Sequence, residues 1–500
     1  MNSLKHNGVL VKKPEYHGFK VTFKGQEIKM TSVTEEMAIA WCKKIGTPYV
    51  EDDVFHINFF GSFSSECSVS NPAFKLIENE FDFSEIITYL ENEKKAKENL
   101  TIEQKKESIK IRKLEREALK EKYGYAYIDG EKVEISNYIV EPSSIFMGRG
   151  RHPKRGMWKQ GASEKDIILN LSPDSPIPAG NWKKIVWEPE SYWVAKWLDE
   201  FSNKYKYVWI SDSAPVKQEK DREKFDKATN IDIEAIQLHI ANFLESPIDE
   251  RKKLATVCAL IDIFNIRVGD EKDDSEEADT VGALTLRPEH ITTEYISTKE
   301  SKLTLKFLGK DSIQWEVSSI VPYSLALNLE IFMKDDKPTL FYGIDSFKVA
   351  RFLQEVQPGM TAKIFRTYKA TDAVKTYLMQ NQVTKANIEE EKKYHAKMAN
   401  LQAAKICNHK KKVSPKYADI LKRKEDKLQS LLNAKASKDR IRKAELDMLL
   451  FKATSDYNLN TSLKSYIDPR EFVEYCKKTD LEIKKIYSNT LLKKISWAQE

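Results

Sequence analysis

The chain has 500 residues, of which 41% are hydrophobic, 32% charged and 10% aromatic. This composition is typical of a soluble globular protein with a heavily charged surface, and it excludes a fully disordered chain and a Gly/Pro-rich fibrous protein. The length fits roughly three domains of about 150 residues each. The longest apolar run, 254–264, is about half the ~20 residues that a membrane helix needs, and Asp262 interrupts it.

Several familiar signals are missing from the sequence. Residues 1–13 contain no apolar run of the kind found in a secretory signal. The cysteines are odd in number and form no CxxC pair or Cys/His cluster with zinc-ligand spacing, so we expect a reduced, intracellular protein without structural zinc. These cysteines are Cys42, Cys67, Cys258, Cys407 and Cys476. No GxxxxGK[ST] loop and no HExxH motif occurs, which argues against an ATP-driven motor and a zinc protease.

The charge is unevenly distributed. The net charge is +6, yet residues 410–455 alone hold 14 Lys and Arg against six Asp and Glu, which leaves the remainder at −2. A basic segment on a near-neutral body points to a long polyanion such as nucleic acid. A solvated helical surface explains the same charges, so both interpretations stay open at this point.

In chain order, the first 215 residues read as short strands and helices. Lys24-Gly25 separates two alternating runs, 21–23 and 26–30, which predict a hairpin. Residues 34–44 carry one apolar stripe and predict a helix, and 92–122 predict a charge-dense, partly exposed helix. Residues 140–190 hold many Pro and Gly, and loops of that length are usually functional or disordered. We expect a domain boundary near Val216.

The second half reads as mainly helical. Its predicted elements are helices over 231–244 and 248–268, strands over 284–286, 303–307 and 313–317, helical structure from 346 to 408, and helices over 470–477 and 481–499. Residues 411–455 carry two apolar stripes separated by 433–438, which predicts an antiparallel helix pair. Two helices of ~18 residues would extend ~27 Å, as a protruding arm.

Five residues invite a chemical interpretation, although each has an ordinary structural one. Arg267 near the end of an apolar helix could pair with the acids in 270–277, and Lys310 in a turn between strands could simply be solvated. His409 could interact with a helix dipole. Arg366 stands between aromatic residues, and Tyr466 precedes Pro469, which we expect at the first position of a helix. Individually these signals are weak.

Together they follow a known pattern. Matching stretches run in order through almost the whole chain: KHNGVL near the start, GRGRHPKRGM at 148–157, IRVGDEKDDSEEADTVGALTLRPEHI at 266–291, FLGKDSI at 307–313, TAKIFRTY at 361–368, ICNH at 406–409 and SYIDPR at 465–470. In these stretches, and in the helical arm between His and Tyr, the sequence resembles eukaryotic-type DNA topoisomerase I, the type IB enzymes. The resemblance implies that the five catalytic positions are Arg267, Lys310, Arg366, His409 and Tyr466.

The implied reaction makes chemical sense of these residue types. Tyr466 would attack a DNA phosphodiester, leaving a 3′-phosphotyrosyl link and a free 5′-hydroxyl; rotation would relax supercoils of either sign before the strand is resealed. Two arginines and the histidine can bind the phosphate oxygens as charge grows there, and a lysine can protonate the leaving 5′-oxygen. Such a cationic clamp replaces a metal, and the phosphotyrosine conserves the bond energy, so we expect no metal, cofactor or ATP.

The resemblance also implies an architecture. The fold class would be α+β and multidomain: a DNA clamp with a mixed cap (1–215), a mainly helical, tyrosine-recombinase-like catalytic lobe (216–409), an antiparallel two-helix coiled-coil linker (410–455) and a C-terminal domain with the tyrosine (456–500). Expected DNA-binding residues are Arg149, His152, Lys217, Thr280 and Asp311. For Arg149, a role near the active site and a plain phosphate contact are equally open. The basic linker would restrain rotation through phosphate contacts.

Two departures from the family pattern stand out. The chain begins directly at the cap, without the long charged N-terminal region that many members carry and in which nuclear signals usually reside; we nevertheless expect a nuclear protein. Ser465 stands where camptothecin-sensitive members have Asn, so we hypothesise weak sensitivity to such poisons. We also expect double-stranded DNA as partner, a monomer, and no membrane association.

Two other functions are compatible with parts of the pattern. A tyrosine recombinase would use a similar Arg, Lys, His and Tyr set, but it should lack the arm and the large cap. A non-enzymatic DNA-binding protein with a decayed site is disfavoured because all five catalytic residue types are present. Strand exchange between specific sites would identify the first, and binding without nicking the second.

Overall fold

The structure is a computed structural model that describes residues 1–67, 80–148, 152–269, 281–309, 313–335 and 337–499. The described residues divide into two compact units, one ending at Ala214 and the other beginning at Pro215. Both units combine helices with sheets, which confirms a multidomain protein of mixed α/β structure. None of the helices in these ranges is long and apolar enough to cross a membrane.

The first unit is built from short strands and a few helices. Its strands are β1 Leu4–His6, β2 Val21–Phe23, β3 Gln26–Ile28, β4 Phe81–Asp82, β5 Tyr125–Ile128, β6 Glu131–Glu134, β7 Ser144–Ile145, β8 Trp158–Lys159, β9 Ile168–Asn170, β10 Lys184–Val186, β11 Trp193–Asp199 and β12 Lys204–Trp209. Its helices are α1 Ser32–Cys42, α2 Asp53–Glu66, α3 Ser84–Glu98 and α4 Ile102–Tyr123. The strands form small sheets in the orders β1-β5-β6, β3-β2-β4, β7-β8 and β10-β9-β11-β12.

An aromatic cluster forms one core of this unit. The phenylalanines of α2 recur at intervals of three and four residues and therefore share one helix face. They are Phe55, Phe59, Phe60 and Phe63, all fully buried. Trp41 of α1 stacks on Phe59 with ring centroids 4.6 Å apart and meets Phe60 edge-on at 4.8 Å. This packing fixes α1 against α2.

His6 ties β1 to β9. It is 6% exposed, its Nδ1 accepts a hydrogen bond from the Gly8 amide at 3.0 Å, and its Nε2 lies 2.9 Å from the Asn170 carbonyl. Because Nδ1 accepts, the neutral ring must carry its proton on Nε2 and donate it to that carbonyl. Burial lowers the pKa of His6 from its usual 6.5 to about 4.

The second unit is mainly helical. Its helices are α5 Pro215–Thr229, α6 Ile233–Leu244, α7 Asp249–Phe264, α8 Tyr323–Met333, α9 Ser346–Gln354, α10 Ala362–Gln380, α11 Glu389–Ile406, α12 Tyr417–Asn433, α13 Lys438–Thr454, α14 Leu459–Ser465, α15 Pro469–Thr479 and α16 Asn489–Lys494. The strands β13 Ile291–Tyr295, β14 Glu300–Gly309 and β15 Ile313–Pro322 pair antiparallel in sequence order. The central apolar core packs α7 against this sheet and α8 to α10.

Three predicted elements are wrong in form. Residues 284–286 are not a strand, since Ala283–Thr285 is a 3-10 helix whose amides bond the Arg267 and Val268 carbonyls. The single helix over 92–122 is two helices, because Thr101 caps α4 with a reciprocal bond to Gln104. The helix over 481–499 is interrupted before α16, where Ser488 caps a new start.

The basic segment forms two helices of 17 residues each, α12 and α13. Tyr417 at the start of α12 stacks on Phe451 near the end of α13 at 5.3 Å, so the two helices run antiparallel. Lys452 and Glu425 form a 2.9 Å ion pair between them. At the other end, Arg442 and Lys443 reach the acidic first turn of α11, where they bond Glu391 at 2.9 Å and Glu390 at 2.6 Å.

Candidate active site

Tyr466 lies in a short turn between α14 and α15. The turn begins because α14 ends at Ser465, and it ends because Asp468 caps α15 through the Arg470 amide with Pro469 in the first helical position, as the sequence predicts. Between them Ile467 is fully buried and anchors the turn in an apolar core. The Tyr466 amide remains bonded to the Ser462 carbonyl at 2.9 Å. The phenol is therefore carried on a short, well-anchored segment.

Arg366, on the second turn of α10, is 8% exposed and meets this tyrosine. Its Nη1 donates to the Tyr466 hydroxyl at 3.3 Å, and its Nη2 donates to the Cys407 carbonyl at 3.1 Å. The guanidinium carbon lies 5.0 Å from the centroid of the phenol ring.

His409 follows the end of α11. The helix ends at Ile406, Asn408 takes the left-handed conformation (φ 49°), and the His409 amide bonds back to the Ala404 carbonyl at 2.8 Å. This reversal turns the imidazole toward α14, where its Nδ1 lies 2.7 Å from the Ser462 hydroxyl. Its ring centroid is 5.3 Å from that of Tyr466.

Arg267 reaches the site from beyond the end of α7. Asn265 adopts φ 53° and ends the helix at Phe264. The sequence predicts that Arg267 is helical, but it lies on the segment that follows the helix. Two glycines allow this segment to pass close to the backbone at Gly282. Gly269 has φ 65°, and a Cβ on it would lie 2.7 Å from the Gly282 Cα, closer than real Cβ contacts occur.

The side chains of Arg267, Arg366, His409 and Tyr466 all line one cavity of about 230 Å³. The rest of its wall is formed by Asn265, Ile266, Val281, Phe307, Trp315, Cys407, Asn408 and Thr461. Burial lowers the pKa of Arg267, and the like charge of Arg366 lowers it further. Arginine remains protonated nonetheless. Two guanidinium groups therefore face one small cavity, an arrangement that favours an anion.

Several predicted residues fall outside the described ranges: Lys310, Asp311, Thr280 and Arg149. The strands β14 and β15 pair as far as Gly309 and Ile313. Phe307 and Trp315 face each other across this hairpin, 5.0 Å apart, and both line the cavity.

The other two predicted DNA-binding residues are described. His152, in the first unit, is 6% exposed; its Nδ1 accepts from the Lys154 amide at 3.1 Å, and its ring meets Phe146 edge-on at 4.9 Å. Both contacts are to residues nearby in the chain, so His152 stabilises the conformation of its own loop. Lys217 lies half-buried in the first turn of α5 in the second unit. Contact of either with DNA stays a prediction.

Sequence reasoning did not single out Ser462 or Thr371. Ser462 is fully buried and bonds His409, while the Thr371 hydroxyl donates to the Tyr466 carbonyl at 3.3 Å. Ser462 stands four residues before Tyr466, on the face of α14 that continues into the turn, and this helical spacing is the signal that could have found it. Thr371 carries no such signal, because only the fold brings α10 beside the turn.

Comparison with known proteins places the chain in a family. Residues 1–210 match the model of the DNA-binding fragment of eukaryotic DNA topoisomerase I, residues 213–445 match the model of its catalytic core, and residues 438–500 match the model of a C-terminal topoisomerase domain.

Individual relatives agree with these models. DNA topoisomerase 1 beta of Arabidopsis thaliana is 32% identical in an alignment that covers 100% of this chain and 58% of that protein. DNA topoisomerase 1 of Homo sapiens is 29% identical over 99% of this chain and 70% of its own length. DNA topoisomerase I, mitochondrial, of Rattus norvegicus is 29% identical over 96% and 87%. The chain thus spans little more than half of the Arabidopsis relative, yet it belongs as a whole to the eukaryotic DNA topoisomerase I family.

Proposed function

We propose that the chain is a type IB DNA topoisomerase, an isomerase that nicks one strand of duplex DNA through a 3′-phosphotyrosyl intermediate, lets the duplex rotate and reseals the strand. The observation that carries the proposal is the 3.3 Å hydrogen bond from Arg366 to the Tyr466 hydroxyl, inside a cavity that Arg267 and His409 also line. Family membership supports DNA as the substrate.

Tyr466 is the proposed nucleophile. As its oxygen attacks phosphorus, the bond from phosphorus to the 5′-oxygen breaks and the phenolic proton passes to water. The Arg366 guanidinium stabilises the phenolic oxygen as it loses this proton, and with Arg267 it provides donors for the non-bridging phosphate oxygens. Because these donors are held by the fold before DNA arrives, little reorganisation is needed in the transition state.

His409 is the proposed third donor to the phosphate. Where the Ser462 hydroxyl donates to Nδ1, the neutral ring carries its proton on Nε2, from which it can donate to a phosphate oxygen. The family resemblance assigns protonation of the leaving 5′-oxygen to Lys310. In resealing, the same 5′-hydroxyl attacks the phosphotyrosine and the phenol leaves. The covalent bond stores the energy for this step, so the proposal requires neither ATP nor a metal.

The proposed domain roles follow the sequence boundaries. Residues 1–215 would form the cap of a DNA clamp, 216–409 the catalytic lobe, 410–455 a coiled-coil linker and 456–500 the C-terminal domain. The antiparallel helices α12 and α13, with their basic surface, support a linker that restrains rotation of the DNA by contacting phosphates. We further propose a monomer that works in the nucleus; a fluorescent fusion and a sedimentation measurement would test these two points.

A relaxation assay tests the proposal. The purified chain is incubated with negatively and, separately, positively supercoiled plasmid in EDTA without ATP, beside Tyr466→Phe and the exposed control Tyr342→Phe. We expect the native chain and the control to relax both plasmids and Tyr466→Phe to relax neither. Binding without relaxation by the native chain would contradict the proposal, and relaxation by Tyr466→Phe would assign the nucleophile elsewhere.

A further inference from the structure

Three consecutive backbone carbonyls at the Tyr466 turn accept hydrogen bonds from three different helices. The Lys464 carbonyl accepts from Lys494 Nζ of α16 at 2.8 Å, and the Ser465 carbonyl accepts from Lys224 Nζ of α5 at 3.4 Å. The Tyr466 carbonyl accepts from the Thr371 hydroxyl of α10. The first two carbonyls belong to the last turn of α14, where a helix has no partners of its own for them and where cations are favoured.

Asp221 of α5 couples the two lysines. Its Oδ1 lies 2.7 Å from Lys224 Nζ, and its Oδ2 lies 3.4 Å from Lys494 Nζ. All three side chains are largely removed from water, with exposures of 13% for Asp221, 16% for Lys224 and 12% for Lys494. One carboxylate thus holds two ammonium groups, and each ammonium group holds one carbonyl of the turn.

This arrangement is electrostatically costly. Burial is the main cause that lowers the pKa of Lys224, and the nearby charges of Lys494 and Lys363 lower it further. A buried ion pair is often no more stabilising than apolar residues of the same size, so its presence is weak support for a role in stability. The ion pairs instead orient the Tyr466 turn, because each ammonium group binds one particular backbone oxygen.

We propose that Lys224 and Lys494, bridged by Asp221, are positioning residues that set the orientation of the Tyr466 hydroxyl for attack on the phosphodiester. The inference rests on the proposed function, since it assigns Tyr466 as nucleophile. A phenol carried on a turn between two helices rotates with that turn, and a misplacement of about 1 Å can reduce a rate by as much as 10²-fold. The lysines act through the turn and need not touch DNA.

The fold offers a way to remove this positioning without unfolding the site. Other contacts hold α5 to the C-terminal segment: Phe225 stacks on Trp497 at 6.1 Å, and Arg470 pairs with Asp226 at 2.7 Å. Lys224→Met keeps an unbranched side chain of similar length and removes the ammonium group, which lies 3.7 Å from the centroid of the Phe225 ring. Lys494→Met does the same on α16.

The test compares Lys224→Met, Lys494→Met and the double variant in single-turnover cleavage of a duplex whose 5′-side fragment dissociates after cleavage. We expect each single change to slow cleavage roughly 10- to 100-fold with DNA affinity within twofold of the native chain, and the double change to be less than multiplicative. Lys224→Arg should restore part of the rate. The matched control is Lys227→Met on the same helix, whose ammonium group lies 3.9 Å from Glu223.

A modified substrate separates positioning from loss of an acid. With sulfur in place of the bridging 5′-oxygen the leaving group needs no proton, so a defect in a general acid would disappear while a positioning defect persists. We expect Lys224→Met to stay slow on this substrate. Native cleavage rates in both single variants, or full rescue by the sulfur substrate, would overturn the inference.

Hydrogen exchange gives a readout that does not depend on catalysis. The Tyr466 amide bonds the Ser462 carbonyl, and the Asp468 amide bonds the Thr371 hydroxyl at 3.0 Å. Both amides should exchange several-fold faster in the double variant while the interior of α10 is unchanged. If the native chain fails to cleave DNA, the proposed function fails, and exchange alone then judges the positioning. Unchanged exchange at both amides would count against it.

Discussion

The guanidinium of Arg366 connects two separate parts of the site, because it donates to the Tyr466 hydroxyl from Nη1 and to the Cys407 carbonyl from Nη2. Cys407 stands two residues before His409, at the end of α11. One buried side chain therefore fixes the phenol relative to the helix end that presents the imidazole. Arg366 therefore donates hydrogen bonds within the site and also holds the phenol and the helix end in place. Its replacement should reduce the cleavage rate more than replacement of a residue that contacts phosphate at the surface.

Arg366→Lys tests this double role. A lysine keeps the charge but cannot hold the Tyr466 oxygen and the Cys407 carbonyl with two nitrogens of one rigid fork. Removing a preorganised donor of this kind typically costs 10²- to 10³-fold in rate, and we expect a reduction of about that size in single-turnover cleavage. The exposed Arg351→Lys serves as control. Retention of more than a tenth of the native rate would contradict this role.

Ser462→Ala should act through His409. The hydroxyl is fully buried and lies 2.7 Å from His409 Nδ1, so its removal takes away a hydrogen bond that orients the ring. We expect cleavage to slow roughly tenfold, which corresponds to the ~1.4 kcal/mol net value of such a bond. In a double-mutant cycle with His409→Ala the second change should add little. Additive effects would show that Ser462 acts independently of the imidazole.

His6 predicts a pH dependence of stability for the first unit. Its folded-state pKa of about 4 is below the unfolded value of 6.5, so the unfolded chain binds the proton first as the pH falls. The contribution is fully present above 6.5 and disappears progressively down to about pH 4, by about 3 kcal/mol at most. Protonation would also place an Nδ1–H against the Gly8 amide.

Thermal unfolding between pH 7 and 4 measures this effect. The variant His6→Gln should start less stable at pH 7 and show a shallower fall over that interval. Replacement of the exposed His17 by Gln is the control and should keep the native slope. If stability falls equally steeply with pH in the native chain and in His6→Gln, another group is responsible for the loss of stability in acid.

Exposed lysines of the helix pair predict a salt effect. Lys422, Lys427 and Lys435 are exposed on or just after α12. If they bind phosphates, replacing each by Gln should make the plot of log affinity against log salt shallower by about 0.9 for every phosphate that is no longer neutralised. Each binding event should also remove more supercoils, since rotation of the DNA is less restrained. If affinity depends on salt equally in the triple variant and the native chain, these lysines form a solvated surface and do not bind phosphates.

Ser465 predicts the response to camptothecin-type poisons. The hypothesis of weak sensitivity rests on the family resemblance, which has Asn at this position in sensitive members. Ser465→Asn should then increase the nicked complexes that accumulate with the drug, without altering relaxation in its absence. The backbone carbonyl that accepts from Lys224 is kept in this variant, so the turn should hold. Strong accumulation by the native chain would refute the hypothesis.

The sequence was informative where local chemistry decides the structure. Periodicity places α12 and α13 correctly, and Pro469 marks the start of α15. Helix ends were less predictable: α7 ends four residues earlier than expected because Asn265 turns left-handed, a choice that the apolar pattern does not reveal. The partners of the Tyr466 turn were least predictable, since Thr371, Lys224 and Lys494 lie between 30 and 241 residues from the carbonyls that they bond, and only tertiary packing brings them there.

In the proposed reaction Tyr466 forms a covalent bond to a DNA 3′-phosphate. The most direct measurement is to trap the chain on a duplex whose cleaved strand cannot be resealed, digest the complex, and identify the peptide that carries the nucleotide by mass spectrometry. We expect a single adduct on the phenol of Tyr466, bearing the 3′-end of the cleaved strand with a free 5′-hydroxyl on the other fragment. An adduct on another residue, a 5′-phosphate linkage, or DNA binding with no adduct would contradict it.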